Sequence, residues 1–469
     1  MSHEDPIDRA HRELDQLARL SPDVFAAGRN RRFRRLLEHH AHNTGNTAYA
    51  ELLRSHGLDP FHDLPADLAG IECLPIIDRQ FLLEANYAEH PAIAMEQVSN
   101  RITSSGTTTG SPLRIPISYA AAQRMYGENL IRSFILVGAD RVLREPSYFI
   151  AHHTPEDPEA ASYIAFCSLR NLLGESVWIR STRDPLEEHL RVLFGHRPRY
   201  SCTAANFYLS LLAMVQDQGM DLSRCSLDYV VLGGASLLDQ DYTRLKDGLG
   251  LQRLALAYVC SETGFMGVQP VDKGPYTIFD DLYLVEVLDD EGHHVAPGER
   301  GRIAITSFVA DAAPMIRYLI GDVATYLGRD STFPNLTALA DIGRAVGAII
   351  GAGKISFEEI AGWPQQMTLR GVPVLAAQLV RRKTADRLDQ AIIRVESPSD
   401  DIARITEVAI AVFRLNYQMD YLISDGEIPL PIVEVYRPGQ LRAGKFKLRP
   451  FVDESHIVVG EALVNPDIA

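Results

Sequence analysis

Between Ile102 and Ser118 the chain reads ITSSGTTTGSPLRIPIS, a segment too small and too rich in hydroxyls to make a good core or helix. Successive backbone N–H groups in such a loop form an anion-binding concavity, and the hydroxyls add further donors. Ser104, Ser105, Gly106, Thr107, Thr108, Thr109 and Gly110 are therefore a candidate phosphate cradle, with a plain polar turn as the alternative. The segment is not a Walker loop, because no lysine follows Gly110 and the glycine spacing is wrong. GAIIGAGKIS fails the same test twice, with Ala348 where a glycine is needed and Ile355 where a Ser or Thr is needed.

Other chemistry-bearing residues follow in a definite order. YVVLGGAS sets Gly233 and Gly234 just past an apolar run, where a flat ring could approach the backbone. LAYVCSETGFMG offers Tyr258, Ser261 and Glu262: an aromatic face, a phosphate donor and a carboxylate for Mg²⁺. APMIRYLIGDVATY ends a strand-like run at Gly321-Asp322, an acid suited to ribose hydroxyls, and LRAGKFKLRPF puts Lys445 behind a glycine. Each has a bland reading as a turn or a solvated loop, and the weight lies in their order and spacing.

These residues need elements to hold them. The first hundred residues read as helices, with RRFRRLLEHHAH and DRQFLLEANYA amphipathic. Helices then alternate with short apolar strands such as SYFIAHH and LDYVVLGG, the pattern of an α/β domain with buried strands. LYLVEVLDDEGHHVAPGERGRIAITS predicts a long hairpin. LAAQLVRRK, DQAIIRVES and LPIVEVYR predict strands, and DDIARITEVAIAVFRLNY one long helix. The expected architecture is α/β: a large N-terminal domain over 1–343 with mixed sheets, opening on helices to about residue 95, then a small mobile α+β domain over 344–469. A length of 469 residues with 46% hydrophobic and 23% charged residues fits two or three globular domains. The net charge of −15 argues against a nucleic-acid partner. Five scattered cysteines without a C-x-x-C, a charged N-terminus and the lack of a long apolar run predict a cytoplasmic protein with free thiols and no membrane partner.

The ordered set resembles the adenylate-forming superfamily, and within it the phenylacetate–CoA ligase branch. LLEHHAHNTGNTAYAELLRSHGLDPFHDLPADLAGIECLPIIDRQFLLEA is similar to that branch's helical opening, and PMIRYLIGDVATY and AGKFKLRPFVD to its later motifs. The resemblance implies that the loop from Ser104 to Gly110 wraps the β- and γ-phosphates of ATP. It implies that Gly234 and Ala235 border the adenine, with Tyr258 stacked on it. Ser261 would meet the α-phosphate, Glu262 would hold Mg²⁺, and Asp322 would bind the ribose, with Arg344 nearby at the start of the second domain. Lys445 would be the mobile cation of adenylation. Three departures stand out: one additional threonine in the loop with Leu113 and Arg114 after Pro112, Ala345-Val346-Gly347 where an acidic hinge is usual, and Tyr258-Val259 in place of Tyr-Gly.

His39, His40 and His42 on one helix lack the ligand set of a zinc site and read as a polar face. His152, His153, Arg170, Asn206 and Tyr208 lie in the stretch where this family builds its acid pocket, and are candidate pocket residues. The expected function is ATP- and Mg²⁺-dependent conversion of a carboxylic acid, aryl or small acyl, to an acyl-adenylate, then transfer to coenzyme A. The alternative passes the activated group to an amine, and the altered hinge motivates it. A non-catalytic binding descendant would need neither Lys445 nor Glu262. A homodimer is expected by resemblance alone.

Overall fold

The computed structural model describes residues 4–459 apart from 104–112, 152–160, 183, 218, 234–236, 238, 345–346, 351–352, 356, 386–387, 425, 427 and 444–447. The chain divides into two compact units, one of residues 1–205, 222–236 and 246–342, the other of 206–221, 237–245 and 343–469.

The first unit opens on helices Pro6–Arg19, Pro22–Ala41, Ala48–Ser55 and Arg79–Glu84. Local chemistry sets where they start. Asp5 accepts from the amides of Ile7 and Asp8, Ser21 from that of Val24 and Asp78 from that of Phe81, while Pro6 and Pro22 take the first helical positions, where an N–H would have no partner. Phe33, Leu36 and Leu37 recur at helical spacing and are buried together with Leu53 and Leu82.

These helices belong with a large sheet of eleven strands among the described residues. One half is parallel: Val177–Ser181, Ser147–Ala151, Tyr200–Thr203, Tyr229–Gly233 and Arg253–Cys260 lie side by side. Every residue of Ser147–Ala151 and Tyr200–Thr203 is buried, as strands covered on both faces must be. Past Arg253–Cys260 the sheet turns antiparallel through Gly264–Val268 and Tyr276–Ile278. The expected long hairpin is present, Tyr283–Leu288 pairing with Arg300–Ser307, and Tyr318–Arg329 lies beside it. A separate hairpin joins Val98–Thr103 to Arg114–Ser118.

Gly321-Asp322 does not end its strand. Tyr318–Arg329 runs through it on a bulge: Leu319 pairs with Ala304 and Val323 with Arg302, so three residues oppose one. Gly321 absorbs the irregularity at φ 83°.

The second unit has a four-stranded sheet in the order Ile432–Tyr436, Asp389–Glu396, Ala376–Lys383, Phe451–Val458. Helices Phe357–Thr368 and Ile402–Phe413 bring Ile360, Trp363, Ile405, Val408 and Val412 to its core beside Leu379 and Ile393. The long helix expected from Asp400 onward stops at Phe413, and Tyr417–Ser424 is a new one. Asn416 separates them because its side-chain oxygen accepts the Met419 amide at 3.2 Å, as a helix cap does.

Candidate active site

In the large sheet, Arg253–Cys260 has a parallel neighbour on one side and an antiparallel one on the other. In open α/β sheets ligands bind in the crevice beyond the carboxyl ends of the strands. Tyr258 stands at that end, and its hydroxyl donates to Asp322 Oδ2 at 3.2 Å. Both residues are buried. The bulge at Gly321 turns Asp322 toward Tyr258, so two motifs far apart in the chain form one wall. Gly233 ends the neighbouring strand, and a Cβ there would lie 2.8 Å from Val259 Cγ1. Val259 thus fills space that Gly233 leaves open.

After Cys260 the chain turns at Ser261–Gly264, and buried hydroxyls hold the turn. Tyr126 donates to the Ser261 carbonyl at 2.6 Å and Tyr283 to the Thr263 carbonyl at 2.7 Å. Gly264 closes the turn at φ 74°, with the Met125 carbonyl oxygen 2.5 Å from where a Cβ would sit, a position only glycine can take. The turn presents Glu262, which is buried. Its Oε1 meets Arg79 Nη1 at 3.9 Å and the Tyr318 hydroxyl at 3.5 Å. Burial, and then the Glu262 charge, push the Tyr318 hydroxyl well above the ordinary tyrosine range, so it remains a donor. The same two causes raise the Cys260 thiol, which stays protonated and inert.

Arg79 and Tyr318 escape sequence reasoning. The Ile77 amide donates to the Arg317 carbonyl at 3.2 Å and the Leu319 amide to the Ile77 carbonyl at 2.8 Å, so the chain before helix Arg79–Glu84 is stitched to the strand that carries Tyr318 and Asp322. Arg317, at φ 48°, reinforces the join: its guanidinium donates to the Glu72, Leu74 and Gly292 carbonyls and pairs with buried Glu286. The only local signal at Arg79 is its place directly after a helix-capping aspartate. Nothing in that pattern says it reaches Glu262.

The remaining candidates stand as follows. The loop Ser104–Gly110 lies outside the described residues, and its neck is held by the pairing of Thr103 with Arg114. Gly234, Ala235, His152, His153 and Lys445 also lie outside them. Arg344 ends strand Thr337–Arg344. Arg170 is exposed on helix Ala161–Leu173. Asn206 and Tyr208 are on helix Ala205–Asp217, with Tyr208 fully buried.

Among the described residues no group of three His, Cys, Asp or Glu could cage a metal. Mg²⁺ needs no such cage, since it commonly takes one or two carboxylates and completes its shell with water and substrate phosphates. Glu262 fits that use: it is a buried carboxylate whose contacts with Arg79 and Tyr318 are both long, leaving its oxygens able to take a cation.

No protein-family model matches the chain. Over 290 residues it is 25% identical to a phenylacetate–coenzyme A ligase of Thermus thermophilus, a match covering 59% of this chain and 60% of that protein. The match thus spans less than two thirds of that relative's length. In fold it is similar to a 2-hydroxyisobutyryl-CoA ligase solved in the postadenylation state with R3-HIB-AMP, at TM-score 0.67 and 17% identity over 91% of this chain and 89% of that one. The chain is thus similar in sequence to phenylacetate–coenzyme A ligases and in fold to an acyl-CoA ligase. A second structure of similar fold is the acyl acid amido synthetase AtGH3.15 in complex with 2,4-DB, at TM-score 0.66 and 14% identity over 96% of this chain and 95% of that one. Of the residues the superfamily resemblance singled out, Tyr258, Ser261, Glu262 and Asp322 converge within the first unit.

Proposed function

We propose that the protein is an AMP-forming ligase that activates a carboxylic acid with ATP and then transfers the acyl group to coenzyme A. One observation carries the reading: Tyr258 and Asp322 hydrogen-bond at the carboxyl end of strand Arg253–Cys260, with Glu262 presented on the turn that follows. In the first step a carboxylate oxygen attacks the α-phosphorus, a P–O bond forms, and the bond to the β-phosphate oxygen breaks to release pyrophosphate. Tyr258 would lie against the adenine and Asp322 would accept from the ribose hydroxyls. The backbone and hydroxyls of 104–110 would hold the outgoing phosphates, with Ser261 near the α-phosphate. Glu262 would hold Mg²⁺, which offsets the charge that builds up between two approaching anions. Gly234 and Ala235 would border the adenine, Arg344 would lie near the ribose, and Lys445 would supply a second positive charge during adenylation. His152, His153, Arg170, Asn206 and Tyr208 are proposed acid-pocket residues. In the second step the coenzyme A thiolate attacks the acyl carbon and AMP leaves.

The first relative's name favours coenzyme A as the acceptor. Transfer to an amine is the second reading, favoured by the similarity to an amido synthetase and by Ala345-Val346-Gly347 at the usual acidic hinge. We take the protein to act in the cytoplasm as a homodimer without nucleic acid. Among the described residues no helix is long and apolar enough to cross a membrane.

Pyrophosphate release measured with Mg·ATP and a panel of aryl and alkyl acids, with and without coenzyme A, tests the proposal. Acid-dependent release with a thioester product is the expected result. Release that ignores coenzyme A and yields an amide or free adenylate would shift the reading to the amine acceptor. Lys445→Ala is expected to lower adenylate formation sharply while ATP binding persists, and unchanged turnover would remove Lys445 from the chemistry.

A further inference from the structure

Helix Pro22–Ala41 contains a run, RNRRFRRLLEHH, that the adenylation reading leaves unused. Burial of Phe33, Leu36 and Leu37 turns Arg31, Arg32, Arg35 and His39 outward. Residues 28, 32, 35 and 39 follow the three-and-four spacing of a single helix stripe. Two cavities open along this stripe, of about 410 and 270 Å³, and both are lined by Arg32 and Arg35. The larger is closed by Arg124 and the loop Phe308–Asp311, over Leu36 and Leu282.

The charges here do not cancel. Arg124 is matched by Glu13 and Glu128, and Arg34 by Glu38. Arg32 Nη1 donates to a carbonyl, that of Asp281, at 3.0 Å, and the Asp281 carboxylate itself is held by Arg132. Arg31 and Arg35 have no carboxylate within 4.0 Å among the described residues. Asp311 is the one acid lining the larger cavity, and one of its oxygens is taken by the Ser118 hydroxyl. With Arg124 already matched, the guanidinium charges of Arg32 and Arg35 face one carboxylate in the larger cavity, in a chain whose net charge is −15. This local excess of positive charge suits an anion, and the planar guanidinium fork suits phosphate oxygens. Leu36, Leu282, Phe308 and Val309 supply an apolar floor, and the larger volume lies in the range of small-molecule sites.

The cavity is separate from the adenylation centre. It shares no residue with Tyr258, Glu262 or Asp322. Ser118, which binds Asp311, pairs with Val98 at one end of the hairpin, and the loop 104–112 springs from the other end, where Thr103 pairs with Arg114. At about 3.3 Å per residue the two ends of strand Arg114–Ser118 are roughly 13 Å apart.

We propose that this arginine-rimmed cavity binds a phosphate monoester with an apolar body, at a site distinct from the adenylation centre. Phenyl phosphate is the probe, titrated calorimetrically into the full chain, into Asp322→Asn and into Arg35→Glu. Binding of equal strength to the unaltered chain and to Asp322→Asn is expected, with at least about a tenfold loss in Arg35→Glu, the scale of a charge-assisted contact. Inorganic phosphate, which lacks the apolar body, is expected to bind more weakly than phenyl phosphate. The proposal is overturned by no binding at millimolar concentration, by equal binding to Arg35→Glu, or by inorganic phosphate matching phenyl phosphate. Loss of binding in Asp322→Asn would move the ligand to the nucleotide centre and overturn it too. Should charge reversal lower the melting temperature, Arg35→Gln removes the charge at an exposed position and gives the same comparison.

Discussion

Glu262 meets two donors at long range, Arg79 Nη1 at 3.9 Å and the Tyr318 hydroxyl at 3.5 Å. Short pairing would have spent the carboxylate, whereas this spacing holds it in place and leaves it able to take a cation. Glu262→Gln keeps the shape and removes the charge. It is expected to lower kcat for pyrophosphate release by about 10²-fold or more, the scale of losing one aligned electrostatic group in a transition state, and to raise the Mg²⁺ concentration needed. An unchanged Mg²⁺ dependence would show that the metal is held elsewhere. Tyr258→Phe keeps the aromatic face and removes the 3.2 Å hydrogen bond to Asp322. That bond orients a ground-state contact, so KM for ATP should rise about five- to tenfold with kcat nearly constant, as loss of about 1 kcal/mol implies. A fall in kcat at constant KM would instead give Tyr258 a role in the chemistry.

At the scale of the element, two junctions position these groups: the parallel strand end at Gly233 and the turn Ser261–Gly264. The first rests on a steric exchange with the next strand. A methyl at residue 233 would lie 2.8 Å from Val259 Cγ1, closer than side chains pack. Gly233→Ala should therefore cost about 1–3 kcal/mol of stability, as overpacking does. In a Val259→Ala background the same change should cost less than about half as much, because residues in contact are not additive. Chemical denaturation of the four variants measures the coupling, and equal costs in both backgrounds would place the strain elsewhere. The second junction hangs on Tyr126 and Tyr283, which satisfy the turn's carbonyls from buried positions. The turn Ser261–Gly264 is thus built on the protein's core rather than on solvent.

Across the whole molecule, burial dictates which charges stability depends on. His40 is almost fully buried, and that burial, with His39 beside it, drops its pKa from 6.5 to about 3. The unfolded chain takes up this proton near pH 6.5 and the folded chain only near pH 3. Between those values the unfolded state holds more protons, so stability falls as pH falls, by up to about 1.4 kcal/mol per pH unit, and above pH 6.5 the effect vanishes. The urea midpoint of the unaltered protein should drop more steeply from pH 7 to pH 5 than that of His40→Gln. Parallel slopes would mean that His40 protonates without unfolding anything.

Much of this protein was settled by contiguous residues. Apolar runs such as Ser147–Ala151 read as buried strands, the alternation over 283–307 as a hairpin, and the capping residues mark where the first helices begin, because each depends on neighbours a few positions away. The order of the Thr-rich loop, Tyr258-to-Glu262, Gly-Asp and Gly-Lys motifs was enough to suggest the superfamily. Where local pattern misled, a single residue was responsible: Asn416 starts a new helix inside an amphipathic stretch, and Gly321 lets a strand continue through what reads as its end. Tertiary structure alone decided the rest. The contact of Tyr258 with Asp322, the stitching of Ile77 to Tyr318, the arrival of Arg79 at Glu262 and the cavity beside Arg35 all join residues far apart in the chain. Such contacts follow from which strands pair across the sheet and which side chains share its buried space, and no periodicity within a window records that.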